Sequence, residues 1–377
     1  MISFLRAAVF LGFIFLITGC SQSDLTAGGP TLTPTSGNAF VYVTLPGENR
    51  IAGFANDTTG ALTGISGSPF NMPGQPFGIA ASPNNRFLYV TLFQNNQISE
   101  FFISPANGTL TPVPCPTMAT GLQPFRIVIN PAGTLLYTLN DEGDVSGFSI
   151  NPTTGCLTAI STASTNFGPG EITIDQSGQF LYVIATLGGI NLYTINTNGT
   201  LTRQAVGGFD PGTNTMLAVK AVPTFELLMA TDGGSTNNIR TLNINTNNGT
   251  LTPIVATPSG SSPANPTAIA FNTPLNATTP LFYIASFLSN NFTVNTVDAT
   301  GAIGTTTLTV PLAPGPVGTG PVGLAVDPTG RFLYVASSGS TVSVFNANIT
   351  AANITTALIS TASTPGAPES IVVVGHP

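Results

Sequence analysis

Residues 321–336 read PVGLAVDPTGRFLYVA, and this stretch decides the fold because the chain repeats its pattern. An apolar run that begins at Pro321 is followed by the turn Asp-Pro-Thr-Gly, and then by a second apolar run around Tyr334. Two apolar runs of strand length on either side of a turn predict a β-hairpin. The hairpin is therefore the smallest unit of this fold.

The first apolar run occurs seven times. Its copies are PFGIAASP (residues 76–83), PFRIVINP (124–131), PGEITIDQ (169–176), MLAVKAVP (216–223), PTAIAFNT (266–273), PVGLAVDP (321–328) and PESIVVVG (368–375). The second run recurs around Tyr42, Tyr89, Tyr137, Tyr182, Leu228, Tyr283 and Tyr334, and a Gly-x-Leu-Thr turn begins at Gly60, Gly108, Gly155, Gly199 and Gly249. Each unit thus holds four short strands, and four strands in a repeat of about 40 to 50 residues are typical of a β-propeller blade.

The two ends of the chain predict how the ring closes. The first tyrosine run, around Tyr42, has no Pro-initiated strand before it, and the last such strand, residues 368–374, has no tyrosine run after it. Pairing these two half-blades makes one whole blade. The sequence therefore predicts an all-β, seven-bladed β-propeller over residues 39–377, closed by its C-terminal strand.

The blade repeats also carry a family resemblance. Residues 76–83 with the following RFLYVT, and residues 321–336, resemble the YVTN-repeat or lactonase-type family of seven-bladed propellers, which includes the 6-phosphogluconolactonase-like proteins. The resemblance covers nearly all of residues 39–375 and implies the fold. Because such repeats encode packing while function lies in particular loops, it leaves the activity open.

Residues 1–19 are predicted to be a lipoprotein signal peptide. Arg6 precedes an apolar run, residues 7–17, that is too short to span a bilayer. Residues 16–20, LITGC, resemble the lipobox of bacterial lipoproteins, which implies that Cys20 carries a lipid; a plain signal peptide with a chance cysteine is the alternative. Residues 20–38, rich in Ser, Thr, Gly and Pro, are predicted to be a flexible tether. We expect an exported protein anchored to the cell envelope, at the outer membrane or periplasmic face in a Gram-negative host.

The composition limits the partners. Only 6% of residues are charged, the net charge is −7, and Lys220 is the single lysine. Such a chain cannot neutralise a row of phosphates, which argues against nucleic acid. Beyond the signal peptide no run approaches about 18 apolar residues, so we expect membrane contact through the N-terminal lipid alone. We expect a monomer without cofactor, with a small polar ligand or an envelope protein as its partner.

Besides Cys20, the chain contains two cysteines, Cys115 and Cys156. Cys115 is predicted just past the end of one outer strand, and Cys156 at the start of the next blade's outer strand. These places lie at opposite faces of the ring, about 15 Å apart. A disulfide requires Cα atoms within about 7 Å, so the sequence argues against a Cys115–Cys156 bridge.

Candidate binding residues come from the start of each apolar phrase. Enzymes of the family that this chain resembles place His, Arg and Glu side chains at the mouth of the central channel, near the starts of the inner strands. The matching positions here offer Arg126, Glu171 and Glu369, with Phe77 and Phe125 as aromatic neighbours. Arg126 and Glu171 come from adjacent blades, so a structural ion pair is the alternative to a ligand site.

The sequence identifies no catalytic residue and no metal site. His376 is the only histidine, and it is predicted beyond the far end of the last strand, away from the mouth. A histidine base has to reach its reacting partner within hydrogen-bond distance, which this position prevents. The acidic residues Asp141, Glu142 and Asp144 lie in a tight hairpin and lack the ligand spacing of a calcium loop.

Three functions remain open. A lipid-anchored propeller that binds a ligand or protein without catalysis is favoured by the missing catalytic set. A hydrolase that opens a sugar lactone is the alternative that the family resemblance implies. A structural or adhesive envelope protein is the third.

Overall fold

The computed structural model describes residues 39–165, 169–185, 189–205, 207–209, 216–232, 238–254, 264–272, 280–304, 308–312, 318–347 and 358–375. These residues form seven antiparallel sheets arranged as the blades of a ring. The predicted all-β, seven-bladed propeller is confirmed. The predicted signal peptide, Cys20, the tether and His376 lie outside the described residues.

We number the blades in chain order from the first tyrosine run. Blade 1 contains β1 (Ala39–Leu45), β2 (Arg50–Asn56), β3 (Leu62–Gly64) and β4 (Phe70–Asn71), with a short 3-10 helix at Pro46–Glu48. Blade 2 contains β5 (Pro76–Ala81), β6 (Phe87–Leu92), β7 (Gln97–Ile103), β8 (Leu110–Pro112) and β9 (Met118–Ala119). Blade 3 contains β10 (Pro124–Ile129), β11 (Leu135–Asn140), β12 (Asp144–Ile150) and β13 (Leu157–Ser164).

The remaining blades follow the same plan. Blade 4 contains β14 (Pro169–Ile174), β15 (Phe180–Ala185), β16 (Gly189–Ile195) and β17 (Leu201–Arg203). Blade 5 contains β18 (Met216–Ala221), β19 (Leu227–Asp232), β20 (Ile239–Ile244) and β21 (Leu251–Pro253). Blade 6 contains β22 (Pro266–Asn272), β23 (Leu281–Ser286), β24 (Asn291–Thr296) and β25 (Leu308–Pro311), and blade 7 contains β26 (Pro321–Val326), β27 (Phe332–Ser337), β28 (Thr341–Asn346) and β29 (Leu358–Ser363). The last strand, β30 (Ile371–Gly375), belongs to blade 1.

The ring closes as the sequence predicts. β30 pairs antiparallel with β1, with Gly375 opposite Ala39 and Ile371 opposite Val43. The backbone N–H of Thr44 donates to the carbonyl oxygen of Ser370 at 3.0 Å, which extends the pairing by one residue. Both ends of the described propeller therefore share one sheet.

The repeated tyrosines and glycines join neighbouring blades. The buried hydroxyl of Tyr89 in blade 2 donates to the carbonyl oxygen of Gly155 in blade 3 at 2.9 Å. Gly155 has a φ of 78°, and a Cβ atom there would collide with the ring of Phe87. The same bond joins Tyr42 to Gly108, Tyr137 to Gly199 and Tyr182 to Gly249. In these four pairs the tyrosine hydroxyl of one blade bonds to the glycine turn of the next, whereas the hydroxyl of Tyr283 donates to the carbonyl oxygen of Ala347.

The prediction against a disulfide is wrong: Cys115 and Cys156 are bridged, with Cα atoms 5.7 Å apart. The outer strand of blade 2 ends at Pro112 after three residues and resumes only as β9, which pairs with the start of β7. Prolines at 112, 114 and 116 have no N–H for a strand ladder, so the strand is interrupted there. Cys115 therefore lies partway along the outer edge of blade 2, beside the start of β13. The sequence predicted it past the end of a complete outer strand.

Candidate binding site at the channel mouth

A β-bulge at the start of six inner strands shapes the channel mouth, whereas β30 pairs with β1 in regular register. In β5, β10, β14, β18, β22 and β26 the pairing with the following strand is irregular directly after the first residue. A bulge bends the strand and redirects its side chains. The third residue of each of the seven phrases lines one pocket of about 160 Å³: Gly78, Arg126, Glu171, Ala218, Ala268, Gly323 and Ser370.

Arg126 of blade 3 lies between two carboxylates. Its Nε is 3.1 Å from Oε2 of Glu171 in blade 4, and its Nη1 is 3.5 Å from Oε1 of Glu369 in blade 1. The three side chains are 29, 24 and 33% exposed, respectively, so they remain accessible from the mouth. The guanidinium carbon also lies 5.3 Å from the ring centroid of Phe125.

Gly78 of blade 2 has no side chain, which leaves room for the Arg126 side chain of blade 3 to extend towards Glu369 in blade 1. A Cβ atom at Gly78 would lie 3.0 Å from the carbonyl oxygen of Phe125 and 3.2 Å from the Cα of Arg126. These are backbone contacts, which cannot move aside as a flexible side chain does. The glycine therefore allows blades 2 and 3 to approach closely, and Arg126 contacts Glu369 past a position that has no side chain.

Ring closure positions Glu369. Its backbone N–H donates to the carbonyl oxygen of Thr44 at 3.0 Å, and the N–H of Ser370 donates to Oγ1 of Thr44 at 3.1 Å. The same hydroxyl donates to the carbonyl oxygen of Phe77 in blade 2 at 2.8 Å. A buried threonine on β1 thus holds both the closing strand and its neighbour.

The three charges have unequal electrostatic environments. Burial raises the pKa of Glu369, the nearby Glu171 raises it further, and Arg126 offsets part of the rise. Burial lowers the pKa of Arg126, but the two carboxylates outweigh that effect and the net shift is upward. Arg126 therefore stays a cation, whereas Glu369 binds a proton more readily than a free glutamate does.

The predicted aromatic residues lie behind the charged cluster. Phe125 packs with the core between blades 3 and 4, together with Tyr137 and Ile172. Phe77 stacks on Phe93 with ring centroids 4.7 Å apart. The structure therefore brings Arg126, Glu171 and Glu369 into one pocket, whereas Phe77 and Phe125 are not among the side chains that line it.

Lys220 is a channel residue that the sequence reasoning did not include in the site. It lies on β18 and lines both the mouth pocket and the wider, mostly apolar part of the channel, which measures about 450 Å³. Side chains two residues apart on a strand share a face. Ala218 and Lys220 are the third and fifth residues of the same phrase, so their side chains lie on the same face of β18. The sequence alone could therefore have predicted Lys220 in the channel.

Two kinds of feature are absent from the residues that the structure describes. No group of three or more His, Cys, Asp or Glu side chains there is placed to hold a metal ion. In the same part of the chain, no helix has the length and apolar character needed to cross a bilayer.

Comparisons with known proteins identify the family. Residues 38–166 and 115–373 match the family model described as lactonase, 7-bladed beta-propeller. A candidate 6-phosphogluconolactonase from Bacteroides fragilis superposes with a TM-score of 0.71 at 16% identity, covering 92% of this chain and 100% of that one. The periplasmic gluconolactonase of Pseudomonas aeruginosa gives 0.69 at 15% identity, covering 90% and 100%.

A candidate 6-phosphogluconolactonase from Bacteroides uniformis gives a TM-score of 0.70 at 14% identity, covering 89% of this chain and 99% of that one. At these identities the structural likeness shows a shared fold. The search of curated protein sequences found no match. The family model, however, spans nearly the whole propeller and confirms the resemblance seen in the blade repeats. The chain belongs to the lactonase family of seven-bladed β-propellers.

Proposed function

We propose that this protein is an exported binding module that holds a small polar ligand of the sugar-lactone class, or its open hydroxy acid, at the channel mouth. The observation that carries the proposal is the convergence of Arg126, Glu171 and Glu369, from three blades, in one polar pocket. The pocket, at about 160 Å³, is smaller than the pockets of about 300 to 1,000 Å³ that hold drug-sized ligands. A single small ring suits it better than a polymer.

The charges of the mouth match this ligand chemistry. Arg126 and Lys220 supply cationic donors for a lactone carbonyl or a carboxylate, and the glutamates accept hydrogen bonds from sugar hydroxyls. Hydrogen bonds to charged groups contribute about 1.5 to 3 kcal/mol each. The ion pairs between Arg126 and the glutamates keep these groups in place before a ligand arrives, which reduces the ordering cost of binding.

We expect saturable binding of gluconate or glucono-lactone without turnover. Calorimetric titration of the wild type is compared with Arg126→Ala and Glu171→Gln, and hydrolysis is followed in the same samples. Loss of one charged hydrogen bond should weaken binding about 10- to 100-fold. Arg203→Ala is the matched control, because Arg203 donates to Asn191 on blade 4 outside this pocket. Equal weakening by the control, or no binding by the wild type, would contradict the proposal.

Lactone hydrolysis is the second candidate, and the family and the raised pKa of Glu369 favour it. In that reaction Glu171 takes a proton from water as the water oxygen attacks the carbonyl carbon. Arg126 stabilises the oxyanion, and Glu369 donates a proton to the ring oxygen as its bond to carbon breaks. Each turnover converts one lactone molecule and one water molecule into one hydroxy acid. Turnover above the uncatalysed rate that disappears in Glu171→Gln would establish this candidate in place of the binding module.

We propose lipid anchoring of the exported protein through Cys20. Support comes from the lipobox-like residues 16–20. Cys20→Ala should move the protein from the membrane fraction to the soluble fraction, because one lipid-modified residue would be its only membrane attachment. Fractionation after a carbonate and high-salt wash measures the change, with Ser21→Ala as the matched control. Membrane retention of Cys20→Ala would show a different anchor.

A further inference from the structure

One position of the inner strands sets blade 5 apart from the others. The fifth residue of each apolar phrase is small and uncharged in six blades, whereas in blade 5 it is Lys220. The six small residues are Ala80, Val128, Thr173, Ala270, Ala325 and Val372. Lys220 is exposed, although it lies on an inner strand, and it lines the channel. It therefore brings a positive charge into the channel at a level where the other blades have none.

The ammonium group of Lys220 has no partner among the described residues. The ion pairs there are formed by Arg126 and Arg240, and none includes Lys220. The two glutamates of the mouth, Glu171 and Glu369, both contact Arg126 instead. An ammonium group has three N–H donors, and a carboxylate is among its strongest acceptors. Lys220 is thus available to an anion that enters the channel.

The channel beyond Lys220, on the side away from the mouth, has an apolar lining. This part of it measures about 450 Å³, within the range of pockets that hold small organic ligands. Among the described residues of its lining, Lys220 has the single formal charge and Asn130 the single other polar side chain. The sixth residue of five phrases lines it as a partly exposed apolar side chain: Ala81, Ile129, Phe271, Val326 and Val373. An alkyl group therefore finds apolar contacts from five blades.

The apolar lining is long enough for one extended chain. Pro223 follows Lys220 by three residues and also lines the channel, as do Pro83 and Pro131 at the same phrase position in blades 2 and 3. Three residues of a strand span about 10 Å. The distance from the ammonium group to the far end of the lining thus suits a short unbranched alkyl chain that lies along the channel.

We propose that the channel binds an unbranched aliphatic carboxylate, with its carboxylate on the Lys220 ammonium and its alkyl chain along the apolar lining. An alkyl chain at the mouth would desolvate Arg126 and the two glutamates, so the chain extends in the opposite direction. This site goes beyond the proposed function, because it requires no ligand on Arg126. The two sites share Lys220, so a hydroxy acid at the mouth should compete with the aliphatic carboxylate.

A series of ligands tests the wild type first. Calorimetric titration compares octanoate, butyrate and octylammonium, with protein purified without detergent because detergent would compete for the channel. We expect saturable binding of octanoate below about 10 mM. Each fully buried methylene strengthens binding about fourfold, so octanoate should bind at least about tenfold more tightly than butyrate. Octylammonium has the same chain length and the opposite charge, and it should bind more weakly than octanoate.

Variants of Lys220 then test the charge. Lys220→Met should weaken the binding of octanoate at least about tenfold, which is the loss expected for one charged hydrogen bond. Lys220→Arg keeps the charge and should bind octanoate more tightly than Lys220→Met does. Arg203→Met is the matched control, because it removes one positive charge of blade 4 that lies outside both pockets. It should bind octanoate like the wild type.

Five results would overturn the assignment. Three concern the folded wild type: no saturable binding of octanoate, equal affinities for octanoate and butyrate, or equal affinities for octanoate and octylammonium. The others are equal binding by folded Lys220→Met and equal weakening by Arg203→Met. If Lys220→Met does not fold, the ligand series with the wild type still decides.

Gluconate titrated into the same samples separates this site from the mouth. Binding of octanoate without binding of gluconate would contradict the proposed function and support the channel site. Binding of gluconate without binding of octanoate would overturn the channel site alone.

Discussion

A chain truncated after Thr364 is expected to lose its stable monomeric ring. The truncation removes β30, which pairs with β1 over five residues, and it exposes the edge of a strand whose residues are all buried. It also removes the side chain of Val374, which is completely buried, and Glu369, which contacts Arg126. An unpaired apolar edge of this kind promotes association with other chains.

The size of this effect follows from comparing the burial energy lost with β30 to the whole unfolding free energy of a domain. Burial of a valine or isoleucine side chain contributes about 1.5 to 3 kcal/mol, and β30 contains four such residues at partly or fully buried positions. The whole unfolding free energy of a domain is typically about 5 to 15 kcal/mol. We therefore expect a melting temperature lowered by at least about 10 °C, or aggregation.

Thermal unfolding and size-exclusion chromatography measure both outcomes. The matched control is a chain that ends at Gly375, which removes two residues and keeps β30 complete. If the chain ending at Thr364 remained monomeric and had the melting temperature of the control, the predicted stabilisation by β30 would be wrong.

Removal of the disulfide is expected to have the second largest effect. The bridge closes a loop with a sequence separation of 41 residues and joins blade 2 to blade 3. Restriction of the unfolded chain by a loop of this length stabilises the folded state by about 2 to 4 kcal/mol. The double variant Cys115→Ser, Cys156→Ser should therefore melt about 4 to 10 °C lower than the wild type.

Reduction of the wild type provides the control for this experiment. A dithiol reductant should lower the melting temperature of the wild type to that of the double variant and leave the double variant unchanged. Equal melting temperatures for the oxidised wild type and the double variant would contradict the predicted stabilisation.

The sequence by itself determined the architecture and the order of the blades. Each blade needs an apolar inner strand and a large buried residue at the centre of its second strand, which is tyrosine in six blades and Leu228 in blade 5. These local requirements recur at a visible period. Ring closure followed from the same period, because the half-blades at the two ends are complementary. The mouth residues could also be predicted from the sequence, since Arg126 and Glu171 occupy the third position of their phrases and Glu369 the second position of its own. The alternation of the inner strand would have added Lys220.

Only the tertiary structure decided what lies between the blades. The strand pattern predicted Cys115 past the end of a complete outer strand, but the prolines shorten that strand and place the thiol beside Cys156. The contact of Arg126 with Glu369 depends on the missing side chain of Gly78 in the blade between them. Glu100 reads in the sequence as an ordinary polar residue of a third strand, yet it is only 8% exposed where blade 3 packs against β7. Each of these depends on distances between residues far apart in the chain, which no local periodicity encodes.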